Sequence, residues 1–256
     1  MPAVTANNPA VVAAAAKLTL SLRIVGVRPD GYHLIDAEMV TLSLVDTLEF
    51  SAGDGLDVVT PDPAQGGLVV PAGPDNLVRR ALDAVGKQAS VRLVKRIPAG
   101  GGLGGGSADA AAVLRWAGCS DLAVAAALGA DVPFCLIGGR ARVTGIGDII
   151  TPLPFAPVAG RSYTLLTPPF GVSSAAVYQR WDALGGPRSD KGVNDLEAAA
   201  VAVAPELAGW RDRLGEATGQ QPTLAGSGST WFVAGAYPGP GRVVVRIARP
   251  ADAVAG

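Results

Sequence analysis

The chain is poor in the residue types from which metal sites, membrane spans and nucleic-acid surfaces are built. Among 256 residues it has two cysteines and one histidine, 17% charged side chains and only 5% aromatics. Cys119 and Cys135 do not form a metal-ligand pattern, and they read as two buried or partly buried thiols of a reducing compartment, with a disulfide left open. No stretch approaches the roughly 20 apolar residues needed to span a bilayer. The run Ala10–Ala16 is apolar but short, and it lacks the basic start of a signal peptide. A formal charge of −1 leaves no basic excess to attract nucleic acid or an anionic membrane. These absences describe a soluble, cytoplasmic protein without a nucleic-acid or membrane partner.

The chain is well supplied with hydrophobic residues, 49%, and with 34 glycines and 20 prolines. That is enough apolar material for a substantial core in a compact, loop-rich chain of helices and strands. Residues 1–10 read as a loose tail. Alternation predicts a half-buried strand over Leu18–Val25, with a turn at Gly26–Gly31 and a second β-like run in Leu34–Leu48. The Gly-, Pro- and Asp-rich stretch 54–74 predicts a hairpin and loops, and a helix over Asp75–Val85 follows with Asp75 as its cap. A strand at Ser90–Ile97 leads into a glycine run, and a helix over Ser107–Trp116 leaves it.

Further on, the pattern predicts a helix at Leu122–Leu128. Ala130–Phe134 should be extended, because the residue before Pro133 avoids the helical region. Ala141–Ile150 reads as strand or hairpin around a Gly-Ile-Gly turn, and the proline-rich Pro152–Gly160 as an inter-domain connection. A strand at Tyr163–Thr167, helices at Ser173–Trp181 and Asn194–Ala204, a second glycine loop at Gly226–Thr230 and a last strand at Val243–Ile247 complete the reading. There is no sequence repeat.

The most informative segment is Pro98-Ala-Gly-Gly-Gly-Leu-Gly-Gly-Gly-Ser-Ala108. Glycine lets a backbone approach a bulky polyanion and visit positive φ. A helix opening just after it aims free N–H groups and a positive dipole end at the loop, which makes an anion site. The run lacks the Lys-Ser/Thr that closes a Walker loop and fits a dinucleotide fingerprint poorly. A purely structural loop is the alternative, although so many glycines cost backbone entropy that binding would offset.

Singly, the remaining candidates are unremarkable in type. Lys17 suits a solvated surface position, Asp131 a turn, His33 a surface or core histidine, and Gly226–Thr230 a simple turn. Phosphoryl transfer, however, needs backbone donors and a cation on the phosphates with a carboxylate near the attacking hydroxyl. The glycine loop, Lys17 and Asp131 supply those groups from three separate segments.

Five motifs in order carry a resemblance. They are Ala16–Leu22 with Arg28-Pro-Asp-Gly-Tyr-His33, Lys95–Ala112, Leu128-Gly-Ala-Asp-Val-Pro-Phe134, Asn194-Asp-Leu-Glu197 and Gly226-Ser-Gly-Ser-Thr230. From about Ala16 to Phe232 the chain resembles the GHMP superfamily of small-molecule kinases, which includes galactokinase, homoserine kinase, mevalonate kinase and phosphomevalonate kinase. Asp-Gly-Tyr-His and the Gly-Gly-Gly-Ser loop ending resemble the branch that phosphorylates the 2-hydroxyl of a cytidine-diphosphate-linked methylerythritol, in non-mevalonate isoprenoid synthesis.

The resemblance implies an α+β, two-domain GHMP-kinase fold. Residues 11–152 would form the N-terminal, ribosomal-protein-S5-domain-2-like, ATP-binding and catalytic domain, and residues 160–256 a C-terminal ferredoxin-like α/β sandwich. It implies ATP along Pro98, Ala99, Gly100, Gly101, Gly102, Leu103, Gly104, Gly105, Gly106, Ser107 and Ala108, with Asn76 on the adenine side and Mg²⁺ assisting. Asp131 matches the catalytic aspartate, the base for the hydroxyl proton, and Lys17 the catalytic lysine. Thr19, Tyr32 and His33 match substrate-binding positions, the last two around the cytidine ring. The implied partner is a small molecule, with monomer and homodimer both open.

Two positions depart from the family pattern. Thr19 stands where Asn is usual, and Ile146, in Gly145-Ile-Gly-Asp148, where Arg or Lys is common. A kinase for another small alcohol, and a nucleotide-binding relative that has lost catalysis, therefore remain as alternatives.

Overall fold

A computed structural model describes residues 10–60, 68–187 and 193–249; the expected tail, apart from Ala10, lies outside them. Two long strands organise the first half. Strand β1 spans Ala10–Val27 and β2 spans His33–Ser51, and they pair antiparallel along nearly their whole length. The strand expected from Leu18 thus begins eight residues earlier. Ala10–Ala15 pair with Phe50–Val45, and this tertiary pairing overrides the low strand preference of alanine. Strands β3 (Gly55–Val59), β4 (Ser90–Val94), β5 (Arg140–Gly145) and β6 (Ile149–Pro152) complete a six-stranded sheet in the order β3-β4-β2-β5-β6, with β1 on β2. The hairpin expected within 54–74 is not formed by the described residues. Instead β3 pairs parallel with β4, and helix α1 (Leu77–Ala84) lies in the crossover that parallel strands require.

Helix α2 (Gly105–Ala117) crosses this sheet with Ala108–Leu114 all buried. Its small residues let it approach β1 closely, and the Trp116 ring stacks on Phe50 with centroids 4.4 Å apart. Two short helices follow, α3 (Leu122–Leu128) and α4 (Val132–Ile137). The second corrects the extended reading of Ala130–Phe134. Pro133 lies in the first turn, where the N–H it lacks would have no helical partner anyway. Cys119 and Cys135 are both free thiols.

The second half builds a four-stranded antiparallel sheet in the order β10-β7-β9-β8, from β7 (Ser162–Leu166), β8 (Thr223–Leu224), β9 (Trp231–Ala234) and β10 (Arg242–Arg246). It carries α5 (Ser174–Ala183), α6 (Glu197–Val203) and α7 (Glu206–Thr218). Sequence reading missed α7 and started α6 at Asn194. Asn194 instead makes a turn, with Oδ1 accepting from Leu196 N–H at 2.9 Å. The two halves are stitched together by β1 and β2. Leu22 N–H donates to Val193 O and Asp195 N–H to Leu22 O, Ile24 N–H donates to the Asp195 carboxylate, and Leu42 bridges Ile247. Among the described residues no helix is long and apolar enough to cross a membrane.

Candidate active site

Strand alternation sets the first two site residues. Lys17 and Thr19, two apart on β1, share a face, while Leu18 between them is fully buried on the other. Register shifts on either side of this segment, at Ala15/Lys17 and Thr19/Ser21, locally break the ladder, as strands do where a side chain is re-aimed. The Lys17 ammonium donates to Thr19 Oγ1 at 3.1 Å and lies 3.2 Å from Asp131 Oδ2. Asp131 is the N-terminal flanking residue of α4, yet its side chain makes no cap bond there. It faces Lys17 instead, with 31% of the side chain exposed against 6% for the lysine. Just behind it, burial and then the Asp131 charge push the Cys135 thiol up to about 12, so that sulfur is not a nucleophile at neutral pH.

The glycine run lies alongside. Lys17 N–H donates to Leu103 O, and a Cβ at Gly104 would stand 2.8 Å from Lys17 Cγ. Gly104 has φ +68° and opens α2 without any side-chain cap, so the helix begins two residues before the expected Ser107. Gly105, Gly106 and Ser107 occupy its first turn, whose N–H groups have no intrahelical acceptor. Part of the glycine content has a structural reason that the sequence did not disclose. The run packs on the second glycine loop, where Thr230 N–H donates to Gly101 O. A Cβ at Gly102, which has φ +75°, would lie 2.3 Å from Ala225 O.

Two clefts meet at this corner. One, of about 500 Å³, runs along Pro98–Ser107 and is also lined by Val70, Pro71 and Asn76. The other, of about 570 Å³, holds Lys17, Thr19, Tyr32, His33 and Asp131 together. Ser107 lines both. Ala108 lines neither; it is buried, and its N–H is spent on Gly104 O. Asn76, rather than the expected Asp75, caps α1: its Oδ1 accepts from Val78 N–H at 2.9 Å and its amide donates to Pro71 O. Asp75 sits one position too early, and two good capping residues in succession cannot be ranked from sequence. Ile146 borders the second cleft, so the wall there is apolar where the family pattern carries a cation.

Several neighbours were not foreseen. His33 Nε2 is 2.8 Å from Asp182 Oδ1. Its ring lies against Tyr178 (centroids 4.8 Å) and edge-on to Trp181 (5.5 Å). Burial and the Asp131 charge push the Tyr178 hydroxyl up to about 12. Tyr178 and Asp182 are four apart, one turn of α5 on a common face, but no local signal ties that helix to His33. Beneath the glycine run, Lys95 bridges Asp46 and Asp109. Asp46 also accepts from Ile97 N–H at 2.8 Å, fixing the exit of β4 toward the loop. Burial raises the Asp109 carboxyl to about 7 against the pull of Lys95, and its Oδ1 has no hydrogen-bond partner among the described residues. Among the described residues, no three acidic, histidine or cysteine side chains converge as a metal cluster.

Residues 76–139 match the GHMP kinases N terminal domain. Fold, clefts and matching domain together define a GHMP-type kinase, an enzyme that transfers a phosphoryl group from ATP to a small alcohol. A 4-diphosphocytidyl-2-C-methyl-D-erythritol kinase of Paracoccus denitrificans is 38% identical over 86% of this chain and 85% of its own. The enzyme of that name from Ruegeria pomeroyi is 38% identical over 93% and 94%. A solved structure of 4-(cytidine 5'-diphospho)-2C-methyl-D-erythritol kinase, 31% identical, superposes with a TM-score of 0.69 over 90% of this chain and 91% of that one. The chain belongs to the 4-diphosphocytidyl-2-C-methyl-D-erythritol kinase family.

Proposed function

We propose that this enzyme transfers the γ-phosphoryl group of ATP to the 2-hydroxyl of 4-diphosphocytidyl-2-C-methyl-D-erythritol. The observation that carries the reading is the Lys17–Asp131 pair, 3.2 Å apart, in the cleft that shares Ser107 with the glycine-run cleft. The triphosphate lies along Pro98–Ser107, its oxygens on the first-turn N–H groups of α2. The diphosphocytidyl alcohol fills the second cleft, with Tyr32 and His33 at the base. Asp131 accepts the hydroxyl proton, and Lys17 holds Asp131 in place while supplying positive charge to the transferring group. Such a loose transition state is served chiefly by positioning and electrostatics. Residues 11–152 act as the ATP-binding and catalytic domain and residues 160–256 as the second, in the cytoplasm.

Mg²⁺ fits this site as an ion carried by the nucleotide. Among the hard oxygen donors that line the second cleft, the Asp131 carboxylate lies beside Lys17 and the Ser107 hydroxyl also lines the glycine-run cleft, which suits a cation that usually keeps its waters and takes one or two protein ligands. When bound it would neutralise phosphate charge. The deciding experiment measures ADP release with the cytidyl alcohol beside galactose, homoserine and mevalonate. Turnover confined to the cytidyl alcohol supports the reading; equal or better turnover with another alcohol, or none with any, overturns it.

A further inference from the structure

The cleft contains a histidine–carboxylate pairing that the transfer chemistry does not use. His33 is the chain's only histidine, and its Nε2 meets Asp182 Oδ1 at 2.8 Å. Tyr178 and Trp181 clasp the ring, whose side chain is 9% exposed, whereas Asp182 is half exposed. A contact with so exposed a carboxylate adds little stability, so the pairing needs another reason. A carboxylate only accepts hydrogen bonds, so the ring nitrogen facing it must carry the proton. The partner of one imidazole nitrogen thereby decides what the other can do. With Nε2–H committed to Asp182, Nδ1 keeps its lone pair and is an acceptor. No described protein group occupies Nδ1, and His33 and Asp182 line the same cleft as Lys17 and Asp131.

We infer that Asp182 is a specificity-determining positioning residue: it locks His33 in the Nε2–H tautomer so that Nδ1 accepts from the exocyclic amino group of a cytosine and rejects uracil. This rests on the reading of the cleft as the site of a cytidine diphosphate. The two bases differ at the position concerned, where cytosine offers an N–H donor and uracil a carbonyl acceptor. A fixed acceptor rewards the first and sets lone pair against lone pair with the second. Accommodating uracil would require the opposite tautomer, which turns an unprotonated Nε2 toward the Asp182 carboxylate. Removing Asp182 lifts that penalty, because an unheld imidazole exchanges tautomers.

The test uses ¹⁵N NMR of the full chain, where a lone histidine leaves no assignment ambiguity, and kinetics with the cytidine- and uridine-diphosphate-linked forms of methylerythritol. With the ring neutral, the wild type should show one protonated Nε2 and one unprotonated Nδ1. Asp182→Ala should show averaged, mixed-tautomer shifts, and Asp182→Glu should return toward the wild-type pattern. In Asp182→Ala the preference for the cytidine over the uridine form should fall by about tenfold or more, through KM rather than kcat. A wild-type ring protonated on Nδ1, or an Asp182→Ala enzyme with unchanged tautomer and unchanged preference, overturns the inference. A wild-type enzyme that turns over neither form overturns the function reading instead, and the NMR result still decides the tautomer.

Discussion

Lys17 Nζ stands 3.2 Å from Asp131 Oδ2, the ammonium buried under the glycine run and the carboxylate partly open to the cleft. One partner comes from the middle of an 18-residue strand and the other from the turn into a six-residue helix. Their meeting depends on the register shift that precedes Lys17 and on the short α3–α4 connection. Lys17→Met keeps the apolar stem that Gly104 packs on and removes only the charge. Its kcat should fall about 10²-fold or more, with folding retained by circular dichroism; a fall under threefold would remove Lys17 from the chemistry.

The contact of Gly102 with the second glycine loop gives a stability prediction independent of function. Gly102→Ala puts a methyl group 2.3 Å from Ala225 O at a positive φ, and it should cost more than about 2 kcal/mol in urea unfolding. Gly209→Ala is the counterpart. That glycine lies within α7 with open space where the Cβ would go, and alanine there should stabilise by about 0.5–1 kcal/mol.

How much of this was legible in sequence depended on how far each signal reached. The glycine run, α2, α3 and the β5–β6 turn at Gly145-Ile-Gly147 carry local signals and were read within a few residues. The alanine-rich strand segment Ala10–Ala15 could not be read that way, because its conformation comes from pairing with Val45–Phe50. Pro133 misled because two rules compete at a proline, and the tolerance of a helix's first turn prevailed. The motifs pointed to Lys17, Thr19, Tyr32, His33 and Asp131, yet nothing local pointed to Tyr178, Asp182 or the Lys95–Asp46–Asp109 triad. Those residues matter through partners far away in the chain.

Asn194 is one such residue. Buried at the junction of the two halves, its amide donates to Leu224 O at 2.9 Å and Gly226 O at 2.7 Å while Oδ1 accepts from Leu196 N–H. Asn194→Ala strands these groups in the interior, and each buried polar group left unmade is costly. A loss of about 2–4 kcal/mol in chemical unfolding is expected; a loss below about 0.5 kcal/mol would mean that water replaces the amide.

The triad beneath the glycine run should make stability depend on pH in a direction opposite to that of an ordinary salt-bridged aspartate. Burial raises Asp109 from 3.8 to about 7. Between about pH 4 and pH 7 the folded protein therefore holds a proton that the unfolded chain has released, and this contribution is lost as pH rises through the window. Asp109→Asn has no such proton. The stability of the wild type minus that of Asp109→Asn, from unfolding at about pH 5 and about pH 8, should fall at the higher pH. A difference that stays flat or grows would place the proton elsewhere.

The central claim, that Asp131 is the base for phosphoryl transfer on a bound cytidyl alcohol, is tested most directly by Asp131→Asn. This variant keeps the shape and removes the charge beside Lys17. Calorimetry should find ATP and the cytidyl alcohol bound within a few-fold of the wild type, while ADP release drops by about 10²–10⁴-fold. Near-wild-type ADP release from that variant would contradict the account.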